Sequence, residues 1–575
     1  MQAESALIKD DPQRGILSVQ WIFRGAFALF ALIDCWLTRF KMEPDGVSYL
    51  DMGDLYWRGD WHAALNAYWS PLYGWLTGLM FLLTKPSMRW EYPEVHLLNF
   101  VIFLAAMASY EFFWRSMLES RIGNAWTGAS RLYAWILGYL LFAILFFGSA
   151  FGELLGGDEL GVLSPDLLVA ALAFLAFGFV LRFSAGRLGV GSSCVLGVTL
   201  GVAYLSKAVM FPFGLVVLAT LFAVCWKRRD GWRKAGAALV CFLAISTPFM
   251  ALLSWNNNHL TFGDPGKLNI GWHVNGGWPP LMHWQGQGPS SGHPLHPTRK
   301  LMAWPEVYEF ATPVAGTYPV WYDPTYWWAG VDTKFYPRRE IGRMVQTLPD
   351  LGLYVIAQSG MPTAMVLAIF LISDRLNDSW RQLIRFLPVL APSIALLVIY
   401  SMVTWWPRYI FWVILAGLCS LIASTSISAE AQRTRVFKAA SIALGVVLIG
   451  VVMQQLKAIR WDSEAWMQNF EVAEKLRTMG VEPGSPVAVI GDSFRQEEYW
   501  ARLDRVKIVA EVPRRLETGD SAAAFWSSSH EVEQAVLNAL KSTGAIAVVA
   551  ASPPKVLPPG WVPVGKTGQA IYFFR

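Results

Sequence analysis

The stretch VGSSCVLGVTLGVAYLSKAVMFPFGLVVLATLFAVCWKRRDGWRKAGAALVCFLAISTPFMALLSWN, residues 190–256, holds three apolar runs, at 190–206, 209–226 and 236–255. A lone Lys207 parts the first two. The cluster Lys227-Arg228-Arg229-Asp230-Gly231-Trp232-Arg233-Lys234 parts the last two. Each run comes close to or reaches the roughly 20 apolar residues that cross a bilayer core, and a basic cluster in so short a loop marks the cytoplasmic side. Working outward, runs of the same kind recur at 18–37, 70–84, 96–118, 132–150, 162–182, 352–373, 383–403, 408–424 and 436–454. The pattern predicts an α-helical polytopic membrane protein with roughly 11–13 transmembrane helices.

Composition excludes the main competitor. Of 575 residues, 54% are hydrophobic and 15% are charged, against about a quarter charged in a soluble domain. A soluble enzyme of this length needs more polar surface. The net charge of +5 does not point to nucleic acid, because the cations sit in short loops between apolar runs. All five cysteines, Cys35, Cys194, Cys225, Cys241 and Cys419, fall inside apolar runs, so no disulfide framework is implied.

The first run follows Lys9 and Arg14 and has no convincing small-residue cleavage site, which predicts a retained signal anchor with the N-terminus inside. The loops carrying Arg182 and Arg187, Arg375, Arg381 and Arg385, and Arg433, Arg435 and Lys438 agree with a cytoplasmic 227–234 loop. Counting from them, the 151–165 loop, the turn at Lys207, the 256–351 loop and the C-terminal region fall outside. Three full crossings from an inside N-terminus put 151–165 inside instead. Arg121 and Arg131 favour a cytoplasmic 119–131 loop, so the short 70–84 run is expected to be re-entrant or peripheral.

The expected organisation is a membrane domain over 1–455, a linker over 456–480 and an extracytoplasmic α/β domain over 481–575. Within the first, the 256–351 loop is dense in Trp, Pro, Gly and His, with little helical or strand periodicity. A loop this long is usually functional or disordered, and its aromatic density argues against disorder. The 481–575 domain has strand-like runs at 487–490, 506–509, 545–550 and 571–574 and helix-like stretches near 495–503 and 531–541. It has no Gly-rich phosphate loop.

Four constellations carry potential chemistry. Residues 43–54 hold Glu43, Asp45, Asp51 and Asp54 at the predicted membrane surface, followed by a stretch, 60–69, expected as a short amphipathic helix capped by Asp60. Ser70-Pro71 supplies an N-cap and an N1 proline for the next helix. This is either a solvated anionic connector or a catalytic base held against the bilayer. The second acidic site has Asp158 and Glu159, then Ser164-Pro165-Asp166. There Ser164 is expected to cap and Asp166 to sit in a first turn, where the helix dipole favours an anion. Third, Lys207 lies at an outer turn where topology does not ask for a cation, and Arg408-Tyr409 begins a late helix. Each is either a membrane anchor or a phosphate partner. Fourth, five of the eight histidines, at 259, 273, 283, 293 and 296, lie in the 256–351 loop. Their spacing is irregular and no Cys is nearby, which disfavours zinc. Trp and Tyr beside His293, His296, Asn and Gln suit a carbohydrate-binding surface, with a rigid interfacial lid as the alternative.

In combination these residues resemble the GT-C glycosyltransferases, membrane enzymes that use polyprenyl-phosphate-linked sugars. More closely, they resemble the branch with protein mannosyltransferases, aminoarabinose transferases and the Rgt-like transferases. The resemblance rests on Asp45 with Tyr49 four residues on, Pro71-Leu72, Asp166, Lys207 and Arg408-Tyr409, in that order, and covers about residues 15–455. It implies an inverting transfer from a polyprenyl-phosphate sugar donor to a lipid, glycan or protein acceptor, at the outer face of an inner or plasma membrane. Asp45 would be the base, Lys207 and Arg408 would neutralise the leaving phosphate, and Asp166 with Asp158 would orient the acceptor or donor sugar. Many relatives carry an acid directly after the first Asp. Here that position is Gly46, so no cofactor is expected, with a divalent metal as the open alternative. A transporter or flippase also has about a dozen helices, but it normally needs ionisable groups or broken helices near mid-membrane. A ligase moving whole glycans from a lipid carrier is the other rival.

Overall fold

The computed structural model describes residues 12–121, 126–147, 160–226, 231–276, 298–310, 314–514 and 519–574. Over their described residues the twelve apolar runs fall mainly on helix, with 383–403 divided between two helices at Phe386. Among the described residues, seven helices are long and apolar enough to cross a membrane: Gln13–Leu37, Met88–Glu119, Gly128–Phe147, Asp166–Ser184, Gly231–Asn256, Pro407–Ser424 and Glu430–Met453. An eighth is added if Leu376–Arg385 and Leu387–Met402, bent by 72° at Phe386, form one broken span. Pro71–Thr84, Val190–Ser206 and Met210–Cys225 are apolar but shorter, and the run at 352–373 falls mainly in the helix Pro337–Leu371.

The acidic stretch becomes the helix Pro44–Arg58, with Pro44 in its first turn and Gly59 closing it in the left-handed conformation. It is not a solvated connector: every residue from Gly46 to Gly53 is buried. Pro71–Thr84 packs directly on it. A Cβ on Gly53 would lie 2.6 Å from the Gly74 carbonyl oxygen, and one on Gly78 would lie 2.6 Å from that of Gly53. Only small residues permit such an approach between helices. The expected amphipathic helix over 60–69 is a single turn, Trp61–Ala64, capped by Asp60. It stops because Asn66 Oδ1 accepts the amides of Tyr68 and Trp69, a side-chain turn that competes with helix.

The C-terminal unit is built on a seven-stranded sheet of β1 (Thr298–Met302), β2 (Val307–Phe310), β3 (Pro486–Gly491), β4 (Lys507–Pro513), β5 (Ala547–Ala551), β6 (Trp561–Pro563) and β7 (Gln569–Phe573). Their order is β1-β2-β4-β3-β5-β7-β6. β3 runs parallel to β4 and β5, and the other pairs are antiparallel. Two corrections follow. The 256–351 loop, expected to lack strands, donates β1 and β2, with Tyr308 paired to Glu511. Strands of four or five residues are too short for alternation to register. The expected 456–480 linker lies almost wholly within one helix, Glu430–Thr478, that leaves the last apolar run and continues to the sheet.

Candidate active site

Four of the charged residues are placed by helix ends. Asp45 is in the first turn of Pro44–Arg58, Asp166 opens Asp166–Ser184, Lys207 follows Val190–Ser206, and Arg408 is in the first turn of Pro407–Ser424. Asp166 meets the positive end of its helix and Lys207 the negative end of its own, both favourable. Arg408 is at the unfavourable end, and carboxylates surround it. Its Nη2 donates to Asp45 Oδ2 at 2.8 Å and its Nη1 to Glu43 Oε2 at 3.1 Å. Its Nε lies 3.3 Å from Asp166 Oδ2. Lys207 Nζ donates to Asp166 Oδ1 at 2.5 Å and stands 3.4 Å from the centre of the Tyr409 ring. Ser164, expected to cap, uses its hydroxyl on Asp166 Oδ2 at 3.0 Å; Pro165 takes the N-cap position and Asp166 begins the helix.

These groups line a cavity of about 530 Å³, within the range of small-molecule sites. Tyr49, Tyr68, Trp69, Trp272 and Trp321 are among its aromatic lining residues. Trp321 Nε1 donates to Asp45 Oδ1 at 3.1 Å, so Asp45 is held from two sides. Burial keeps the Tyr49 phenol well above its ordinary range, and nearby Asp45 and Asp166 push the same way. Burial, then the Arg343 charge, pushes His273 down to about 4, leaving a neutral imidazole in the wall.

The structure thus brings Asp45, Tyr49, Asp166, Lys207, Arg408 and Tyr409 together. Asp158, His293 and His296 lie outside the described residues. Among the described residues no three His, Cys, Asp or Glu side chains group as metal ligands. Sequence reasoning missed Trp321, one of many tryptophans in its loop, and gave Glu43 no role of its own. The helix-starting Glu43-Pro44 pair was the available signal for the latter.

A second ionic cluster ties this site to the C-terminal unit. Arg502 contacts Asp51 at 2.8 Å, Asp54 at 2.9 Å and Glu91 at 2.7 Å, and Arg505 reaches Asp54 at 3.3 Å and Glu91 at 3.0 Å. Thr317 donates its amide and hydroxyl to Asp51 at 2.6 and 2.9 Å. Burial pushes the Asp51 carboxyl up, and Arg502 and Thr317 pull it back. The four carboxylates of 43–54 therefore divide: Glu43 and Asp45 serve the cavity, Asp51 and Asp54 the docking.

The apolar helices define a multi-pass membrane protein, and its fold is shared with a membrane protein of known structure. The chain is similar to ArnT from Cupriavidus metallidurans in the apo state, at 12% identity and a TM-score of 0.51, over 96% of this chain and 98% of that one. ArnT bound to undecaprenyl phosphate gives 14% and 0.49, over 95% and 97%. The Archaeoglobus fulgidus oligosaccharyltransferase tethered with an acceptor peptide gives 12% and 0.43, over 91% of this chain and 69% of that one. Both proteins are GT-C glycosyltransferases. No protein-family model and no curated protein sequence matches the chain.

Proposed function

We propose that the chain is an inverting glycosyltransferase that moves a sugar from a polyprenyl-phosphate carrier to an acceptor hydroxyl at the outer face of an inner or plasma membrane. The observation that carries this reading is the convergence of Asp45, Asp166, Lys207 and Arg408, from four separate helices, in one cavity. Asp45 takes the proton of the attacking hydroxyl as general base. The oxygen attacks the anomeric carbon while its bond to the carrier phosphate breaks on the opposite side, so one base suffices, unlike hydrolases with two working carboxylates. Lys207 and Arg408 receive the charge of the departing phosphate, the kind of contribution that usually gives the largest rate term. Before the donor arrives, Asp45 and Asp166 hold those cations in position. Asp166 then orients a sugar hydroxyl.

The test incubates purified protein with radiolabelled polyprenyl-phosphate sugars and extracted membrane acceptors, and compares Asp45→Asn. Consumption of one donor is expected, with a loss of about 10²–10⁴ in the variant and donor binding retained. Near wild-type turnover by the variant sinks the role of Asp45. Consumption of no donor sinks the reading as a whole.

A further inference from the structure

Phe494 is, among the described residues, the one contribution of the C-terminal unit to the cavity lining. It sits on Ser493–Glu497, a π-helical turn between β3 and the helix Glu498–Asp504. Such turns are rare and are frequent at functional sites. This one follows the C-terminal end of a strand with parallel neighbours on both sides, the edge at which α/β sheets receive ligands. The Phe494 ring meets Trp321 edge to face, with centroids 4.7 Å apart and planes at 70°. Trp321 is itself fixed. Its ring lies 6.0 Å from Trp272 at 15°, and its carbonyl accepts from Ser48 Oγ at 3.1 Å and Trp69 Nε1 at 3.2 Å.

We propose that Phe494 and Trp321 form an aromatic wall that takes a carbohydrate ring of the acceptor and presents its hydroxyl to Asp45. The proposal rests on the transferase reading above. The indole that holds Asp45 is also the ring on which Phe494 packs, so wall and base are one unit. Arg502, on the helix that continues the π-turn, fixes the same unit to Asp51 on the Asp45 helix. The cavity offers two kinds of contact: Asp45, Asp166, Lys207 and Arg408 supply charge, and Phe494 and Trp321 add aromatic surface. A sugar ring suits both, with apolar C–H faces rimmed by hydroxyls, and polarised C–H groups are attracted to the negative face of an aromatic ring. A bare hydrocarbon chain brings no hydroxyl for Asp45 to deprotonate.

The direct test replaces Phe494 with p-benzoylphenylalanine in the full chain, irradiates the producing membranes and weighs the adduct. A carbohydrate-bearing adduct is expected: extraction with lipid identifies a lipid-linked glycan, and partition into water a free one. An adduct with peptide alone, with acyl chains alone, or none at all overturns the wall. Kinetics add a second measure. Phe494→Ala should raise the acceptor KM about tenfold with the donor KM within twofold. Trp321→Phe, which keeps a ring and removes the donor to Asp45, should lower kcat about tenfold. A donor KM that rises as much as the acceptor KM also overturns the proposal. If the wild type consumes no polyprenyl-phosphate sugar, the transferase reading falls while the adduct still decides whether the wall binds carbohydrate.

Discussion

Arg502 in the C-terminal unit donates to Asp51 at 2.8 Å across a chain separation of 451 residues, and both side chains are almost fully buried. Asp51 lies on the same helix as Asp45. The unit is thus anchored to the element that carries the proposed base, and Tyr92 adds a hydrogen bond from its hydroxyl to the Tyr499 carbonyl at 2.6 Å.

Arg502→Met should therefore destabilise the whole chain. It leaves Asp51 without its ionic partner, Glu91 with Arg505, and Asp54 with Arg505 and Arg58. Breaking a buried ion pair from one side costs about 3–5 kcal/mol. Thermal unfolding in detergent, followed by tryptophan fluorescence, reads the loss. An unchanged midpoint shows that the cluster does not hold the two parts together.

Stability should also fall between pH 5 and 8 through Glu497. Burial pushes this carboxyl up to about 8 from an ordinary value of 4.5, against hydrogen bonds from Trp500 and Gln569. In that window the folded chain keeps a proton that the unfolded chain has released. Stability is therefore full below the unfolded value and lost as pH rises, by up to about 1.4 kcal/mol per pH unit. Glu497→Gln should flatten the dependence of the unfolding midpoint on pH. An identical slope in the variant assigns it to other groups.

Lys207→Ala should weaken donor binding by roughly 1.5–3 kcal/mol, the value of a charge-assisted contact, and leave acceptor binding nearly unchanged. Lys207 contacts Asp166 and the Tyr409 ring, and its three-donor ammonium can also donate to a phosphate oxygen beside them. Calorimetric titration with a polyprenyl phosphate measures it. Unchanged donor affinity beside reduced acceptor affinity would move Lys207 to the other ligand.

Transfer should survive excess EDTA. Gly46 replaces any second acid beside Asp45, and Asp45 and Asp166 already have Arg408 and Lys207 as partners. Mg²⁺ usually takes one or two carboxylates together with phosphate, so the test must also restore Mg²⁺ or Mn²⁺. Complete loss in EDTA with recovery on adding metal turns these acids into ligands.

The membrane class, the apolar helical segments and the strands β3, β4, β5 and β7 were legible in the sequence, and so were the charged and aromatic residues at helix ends that line the cavity. Those features are local: hydropathy over about 20 residues, a proline at a helix start, a lone cation between two apolar runs. Only tertiary structure decided which charges meet. The acids at 43–54 look alike in sequence, yet Asp45 turns to Arg408 and Asp51 to Arg502 because successive helical residues face different neighbours. β1 and β2 were hidden for a related reason. A four-residue strand has almost no pattern of its own, and Val307–Phe310 is a strand because β4 supplies its partner. Trp321 and Phe494 carry no local mark at all. Their place at the cavity follows from the packing of the helix Glu498–Asp504 against the helix Pro44–Arg58, where burial of paired ions and aromatic rings fixes a geometry that no stretch of sequence contains.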